Sequence, residues 1–208
     1  MRADLRGRMY KMTEYLPWDK SWQKQVLYLP WLQPEIPGME NSPVLPAYPI
    51  FMDSLKRGLH GYDFFTAVAS AMVFLLGHEP DAAINPMYCA WLRVFNAELA
   101  SQLFYEGTEM TTRFNLSQAI WMLQASLLLE PDSYETNYNL ALAFNHLATK
   151  LTREEKTQEA DECYEQARQY FYNASQLKEA GFRRSEKKTG ESVLRADEGY
   201  DTGIHREW

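Results

Sequence analysis

The stretch 115–177 repeats one pattern of small and large apolar residues at helical intervals. Two segments each carry a small residue, a large apolar residue four positions later, and a second small residue three positions after that. These residues are Ala119, Leu123 and Ser126 in the first segment and Ala160, Tyr164 and Ala167 in the second. Residues three or four apart share one face of a helix, where small side chains let a neighbouring helix approach closely. The pattern therefore predicts packed helices.

Polar residues predict where these helices begin and end. Three capping boxes, each with a capping side chain three positions before Gln or Glu, occur at Asn115–Gln118, Asp132–Glu135 and Thr152–Glu155. Asn85 before a proline predicts a helix start, and Gly181 predicts a helix end. The predicted helices lie near 62–77, 86–112, 116–130, 133–150 and 153–179. Their short connections favour antiparallel neighbours, and the predicted fold class is all-α.

A second set of residues extends this pattern into a longer repeat. The set is Asn137, Leu140, Ala141 and Phe144, and it precedes Ala160, Tyr164 and Ala167. Together these positions resemble the tetratricopeptide repeat family, whose repeat has roughly 34 residues. About seven extra residues, near 148–154, would lie between the two helices, which corresponds to two helical turns. A preceding, more divergent repeat carries Leu103, Gly107 and Met110 before the Ala119 segment. The resemblance implies a short solenoid of stacked antiparallel helix pairs, and the alternative is an ordinary helical bundle.

The resemblance also implies a concave groove lined by the first helix of each pair. Its predicted residues are Ser101, Phe104, Thr108, Glu135, Tyr138, Leu142 and Asn145. The family members that clamp a carboxylate use Lys and Asn at two of these positions, where this chain has aromatic, aliphatic and hydroxyl side chains. We therefore expect an apolar or mixed peptide or protein partner rather than an acidic one. The alternative for Phe104, Tyr138 and Leu142 is an ordinary place in the core.

The last predicted helix carries apolar residues on more than one face. The candidate self-association residues are Tyr164, Tyr170, Phe171, Tyr172 and Leu177. Since one neighbouring helix cannot cover two faces, we expect the N-terminal segment, the C-terminal tail or a second copy of the chain to cover the remainder. A homodimerising structural module is thus an alternative function.

Composition divides the chain into three parts. Residues 1–52 are rich in proline and tryptophan and are predicted to run extended and pack on the helices, apart from one short helix at Asp19–Leu29. The alternative is a linear motif for an aromatic-groove module. Residues 53–181 form the predicted helical domain. Residues 182–208 are predicted to be a flexible charged tail.

Charge and composition narrow the function classes. The 208-residue chain has a net charge of −7, which disfavours nucleic-acid binding. Its longest apolar run, Phe64–Leu76, is shorter than the about 20 residues needed to cross a bilayer, so we expect no membrane segment. Neither a His-x-x-x-His nor a Cys-x-x-Cys pair is present, and we expect no metal, no cofactor and no catalysis. A cytoplasmic interaction module is the preferred interpretation; an enzyme, or an enzyme subunit, with a site assembled from distant residues is the runner-up.

Overall fold

A computed structural model describes residues 21–30, 42–56, 58 and 61–198, and gives side-chain surroundings for most of them up to residue 180. Its elements are a 3-10 helix at Ser21–Gln25, β1 (Val26–Leu29), β2 (Tyr48–Phe51), α1 (Met52–Lys56), α2 (Tyr62–His78), α3 (Asn85–Phe95), α4 (Leu99–Thr112), α5 (Leu116–Leu129), α6 (Tyr134–Arg153) and α7 (Thr157–Glu198). The described chain is mostly helical, and the predicted all-α character is confirmed at this level.

A small antiparallel sheet precedes the helices, which the sequence analysis did not predict. β1 pairs with β2 so that Val26 lies opposite Phe51 and Leu29 opposite Tyr48. The predicted helix at Asp19–Leu29 is wrong in its second half, where the chain forms β1 instead. The sequence around β1 does not indicate that β2 is its partner, because the two strands are far apart in the chain. Pro49 is tolerated because a two-stranded sheet has only edge strands.

The sheet packs on α2 and α3 through buried side chains of β2. Ile50 is fully buried. The ring of Phe51 meets that of Phe74 edge-on at 5.4 Å, and Tyr48 meets Trp91 at 6.3 Å. Residues 1–20 and 31–41 of the predicted N-terminal extension lie outside the described residues.

Helix α5 is the centre of the core and contacts α2, α3, α4 and α6. Its side chains from Gln118 to Ser126 are buried on every side, as expected for a helix that is apolar all round. Gly77 of α2 makes one of these contacts so close that a Cβ there would lie 2.8 Å from the carbonyl carbon of Trp121. Arg93 of α3 donates to the carbonyl oxygen of Leu129 at 2.7 Å, which also covers the end of α5.

Helices α4 and α5 form one antiparallel hairpin, and α6 and α7 form another. Gly107 allows close approach in the first hairpin, since a Cβ there would lie 2.7 Å from Cγ of Leu123. Ser126 donates to the carbonyl oxygen of Ala100 at 2.9 Å at the other end of this hairpin. In the second hairpin, Phe144 stacks on Tyr170 with ring centroids 5.8 Å apart.

The two hairpins turn in the same way. The amide of Asn115 donates to Met110 in the first turn, and the amide of Lys156 donates to Leu151 in the second, both at 3.0 Å. The residue before each donor has a positive φ, 58° at Phe114 and 62° at Glu155. This is the hydrogen-bond pattern of a Schellman helix end, in which that position is usually glycine.

Several predicted helix boundaries require correction. The helix predicted at 86–112 is broken at Asn96, whose side-chain oxygen accepts from the amide of Glu98 at 3.1 Å and so ends α3. The capping box at Thr152–Glu155 is wrong, because the Thr152 hydroxyl donates back to Ala148 inside α6. α6 has 20 residues against 14 in α4, so the additional residues lie largely within that helix.

The other caps are shifted or replaced. Ser133 rather than Asp132 caps α6, accepting from the Thr136 amide at 3.1 Å. Asn115 occupies the predicted cap position, but its side chain donates to Gln118 at 2.7 Å instead of accepting from a backbone amide.

The remaining two boundary signals are also displaced. Asn85 lies one residue inside α3, and its side chain donates to the carbonyl oxygens of Glu79 and Pro80. The stop predicted at Gly181 is wrong, since α7 continues to Glu198. Flexibility of the 182–208 tail stays a prediction, and residues 199–208 lie outside the described part of the chain.

Candidate interaction surface

The seven residues predicted to line a groove lie on α4 and α6, two helices that contact each other. On α4, Ser101 is exposed, while Phe104 and Thr108 are half-buried. The remaining residues, on α6, are the exposed Glu135, Tyr138, which is 40% exposed, and the half-buried Leu142 and Asn145. None of the seven is fully buried. Phe104 packs against the core, whereas Tyr138 presents nearly half of its side chain to solvent.

An open groove of about 580 Å³ lies between α6 and α7, and we refer to it as the α6–α7 groove. Asn145 lines it from α6. The residues that line it from α7 are Asp161, Tyr164, Glu165, Ala167, Arg168 and Phe171. The groove thus combines Asn145 from the predicted peptide-binding set with Tyr164 and Phe171 from the predicted self-association set.

The helical period explains which α7 residues reach the groove. Asp161 and Arg168 are seven residues apart, as are Tyr164 and Phe171, so each pair lies on one side of the helix two turns apart. The neighbouring face of α7 packs against α6. It buries small side chains at Ala160, Cys163, Ala167 and Ala174. The small residues bring the two helix backbones together, and the larger residues beside them then stand at the rim.

Aromatic rings extend this surface along α6. Tyr138 stacks on Tyr134 with ring centroids 6.0 Å apart, and it meets Phe171 edge-on at 5.6 Å. The ammonium group of Lys178 lies 5.9 Å from the centroid of the Tyr134 ring. Tyr138 is therefore held in place by two rings while its outer side stays open to solvent.

The five predicted self-association residues do not form one surface. Tyr164 and Phe171 line the groove, and Tyr172 lies outside it with 59% of its side chain exposed. Tyr170 points instead into the hairpin, where it stacks on Phe144 and where burial raises the pKa of its hydroxyl. Leu177 is half-buried.

The groove carries an uneven set of charges. The guanidinium of Arg168 pairs with the carboxylate of Glu165 at 3.0 Å, and both side chains are more than half exposed. Asp161 has no ion-pair partner among the described residues. Neither Asp161 nor Arg168 was among the site residues predicted from the sequence. The seven-residue spacing of Asp161 with Arg168, matching that of Tyr164 with Phe171, is the signal that could have found them.

Both cysteines are buried, and neither is activated. Burial, together with Glu162 and Glu159, raises the pKa of the Cys163 thiol to about 11. Burial also raises the pKa of Cys89, whose thiol donates to the carbonyl oxygen of Leu128. Since the thiolate is the nucleophile, thiols held protonated in this way react slowly at neutral pH.

No cluster of three or more His, Cys, Asp or Glu side chains suited to a metal ion occurs in the described ranges 21–30, 42–56, 58 and 61–198. No helix in the same ranges has the length and apolar character to cross a membrane. The apolar helix α2 is instead buried from Thr66 to His78.

Comparison with protein-family models, curated proteins and solved structures gave no match to this chain. The resemblance to the tetratricopeptide repeat family therefore stays a prediction, carried by the residues that suggested it.

Proposed function

We propose that this protein is a non-enzymatic interaction module that holds a peptide or partner protein on a surface built by α4, α6 and α7. The observation that carries the proposal is the α6–α7 groove together with the half-exposed ring of Tyr138 beside it. Ligand sites in proteins are commonly apolar clefts with a few well-placed polar groups. Here the rings of Tyr138, Tyr164 and Phe171 supply the apolar part, and Asn145 offers both a donor and an acceptor to an extended backbone.

The repeated construction of the two hairpins supports a tetratricopeptide-like arrangement. The turns at Phe114 and Glu155 share one hydrogen-bond pattern. Relative to these turns, Ala119 and Ala160 occupy equivalent positions, and the amide of each donates to the residue four before it at 3.0 Å. α5 also packs on α6, so the second hairpin follows the first in the order that a solenoid requires.

In such an arrangement the next helix pair would pack on the outer side of the last one. The α6–α7 groove is open on one side of this hairpin, and no further helix pair follows α7 among the described residues. An apolar surface left open in this way is suited to a partner. We propose that a partner peptide occupies this position.

Affinity capture with a groove variant tests the proposal. Wild type and the double variant Tyr138→Ala/Asn145→Ala are used to capture proteins from a lysate of the source organism, and the retained proteins are identified by mass spectrometry. We expect a specific partner to be lost in the double variant. Tyr62→Ala is the matched control, because Tyr62 is 52% exposed and lies on α2, outside the three helices of the proposed surface.

Circular dichroism must first show that each variant is folded. A folded double variant that retains every partner captured by wild type would contradict the groove assignment. Absence of a specific partner in all three samples, combined with a dimeric native mass, would favour the alternative of a structural dimerisation module.

A further inference from the structure

We infer that the α6–α7 groove takes a cationic peptide segment with an apolar anchor, its Arg or Lys near Asp161 and its anchor between Tyr164 and Phe171. This inference rests on the proposed function and specifies the chemistry of the partner. It narrows the expectation of an apolar or mixed, non-acidic peptide to a cationic one.

The charges of α7 are the first argument. From Thr157 to Arg168 the helix carries four acidic residues, Glu159, Asp161, Glu162 and Glu165, and a single cation, Arg168. That cation is already paired with Glu165, which leaves Asp161 at the rim of the groove with its carboxylate open. A second positive charge is thus the complement that this surface lacks.

Helix-dipole stabilisation accounts for only part of this acidity. The favourable effect of an acid on the helix dipole falls off within the first turn. Glu159 lies in the first turn of α7, whereas Asp161 and Glu165 lie beyond it. Their placement at the groove therefore calls for another cause, and complementarity to a partner supplies one.

The aromatic rings are the second argument. Cations bind over the faces of Tyr and Phe rings, and the attraction grows as water is excluded. Tyr164 is 36% exposed and Tyr138 is 40% exposed, so both rings remain accessible. The protein already uses this contact on the same surface, where the Lys178 ammonium lies over the ring of Tyr134. An incoming Arg or Lys would therefore meet both a carboxylate and open ring faces.

The same charges disfavour a second copy as the occupant. Two copies meeting through this face would each present two carboxylates, Asp161 and Glu165, with one cation, Arg168, and the whole chain carries a charge of −7. Juxtaposed like charges oppose association. An acidic peptide meets the same repulsion, which leaves a cationic partner as the best fit.

Fluorescence anisotropy with three labelled peptides of equal length tests the inference on the full chain. One peptide alternates arginine and leucine, the second alternates glutamate and leucine, and the third alternates arginine and glycine. We expect the arginine–leucine peptide to bind most tightly and its affinity to fall as salt is added, because screening weakens exposed charge pairs. The glutamate–leucine peptide lacks the charge, and the arginine–glycine peptide lacks the anchor.

Two charge-reversal variants separate the groove from the general charge of the helix. Asp161→Lys should weaken binding of the arginine–leucine peptide by about fivefold to tenfold. Glu162→Lys makes the same change one residue away, but Glu162 does not line the groove and should change affinity by less than about twofold. The double variant Tyr164→Ala/Phe171→Ala removes the apolar anchor site and should abolish the advantage of leucine over glycine.

Each contrary outcome is distinct. Equal binding of the arginine–leucine and glutamate–leucine peptides, both dependent on Tyr164 and Phe171, would overturn the charge inference and leave the peptide groove in place. Equal effects of Asp161→Lys and Glu162→Lys would show that the net charge of the helix alone causes the attraction, and this result would also overturn the inference. Binding of no peptide would overturn the inference, and the capture experiment with Tyr138 and Asn145 would then decide the proposed function separately.

Discussion

The two helical hairpins end α4 and α6 with the same turn, yet they occupy different surroundings. In the first hairpin, α5 is enclosed by α2, α3, α4 and α6. In the second, α7 packs chiefly on α6 and leaves one side open to solvent. The comparison shows that local signals shape a hairpin, while its neighbours decide whether a face becomes core or surface.

The side chains follow that difference. α5 buries large residues, including Trp121, Met122 and Leu123, because it meets neighbours on all sides. The residues that α7 buries most deeply are small, among them Ala160 and Ala167, and its larger rings stand beside the contact. A helix that had to fill a core on every side would not bury mainly alanine.

Removing a ring from the inner side of the second hairpin should give the largest effect. Phe144→Ala deletes a side chain that is 4% exposed and stacked on Tyr170, and it should lower the free energy of unfolding by about 3 kcal/mol. Tyr172→Ala, on the open side of α7, should change it by less than about 0.5 kcal/mol. Urea unfolding followed by circular dichroism measures both. Similar losses for the two variants would show that the open side of α7 is covered after all.

A methyl group added where α2 covers α5 should give the next largest effect. Gly77→Ala places a Cβ against the backbone of Trp121, which cannot move aside, and we expect a loss of about 2 kcal/mol in the free energy of unfolding. Gly107→Ala meets mainly the side chain of Leu123, and a gain in helix propensity opposes the clash, so its loss should be only about 1 kcal/mol. Urea unfolding again provides the comparison, and a larger loss for Gly107→Ala would reverse the proposed order of close contacts.

The pH dependence of stability tests how well the contact between α6 and α7 excludes water. Burial raises the pKa of Cys163 from 9.0 to about 11 in the folded protein. The unfolded thiol therefore loses its proton first, and the free energy of unfolding should fall as pH rises across this interval, with the full contribution present below it. Cys163→Ala removes this titration, so the fall should be shallower than in wild type. Parallel pH profiles for the two proteins would contradict a shielded thiol.

Relieving the backbone strain in the two turns should have the smallest effect on stability, and it tests whether the turns are equivalent. Phe114 and Glu155 both have a positive φ, which strains any residue with a Cβ. Phe114→Gly should be more stable than Phe114→Ala by about 1 kcal/mol, and the Glu155 pair should show the same difference. Comparing glycine with alanine cancels the loss of the original side chain. A gain at one turn alone, measured by thermal unfolding, would break the equivalence of the hairpins.

Much of the helical order was predictable because its signals are local. The periodicity of Ala119, Leu123 and Ser126 located α5, and the polar residues Asp132–Glu135 located the start of α6. Helix boundaries were predicted less accurately where one side chain can form either of two hydrogen bonds. Thr152 has the spacing of a helix cap, yet its hydroxyl bonds within α6, and Asn96 stops a helix that the apolar pattern alone would continue.

The sequence by itself determined where most of the helical segments lie and which residues of α2 are apolar. It also determined the pairing of small with large residues that builds the hairpins. Each of these depends on neighbours within a few turns. Only the tertiary structure decided that β1 pairs with β2, and that Tyr170 turns inward while Tyr164 and Phe171 line a groove. Those outcomes depend on contacts between segments far apart in the chain. The helical period places a side chain on a face, but the packing of a neighbouring element determines whether that face is buried.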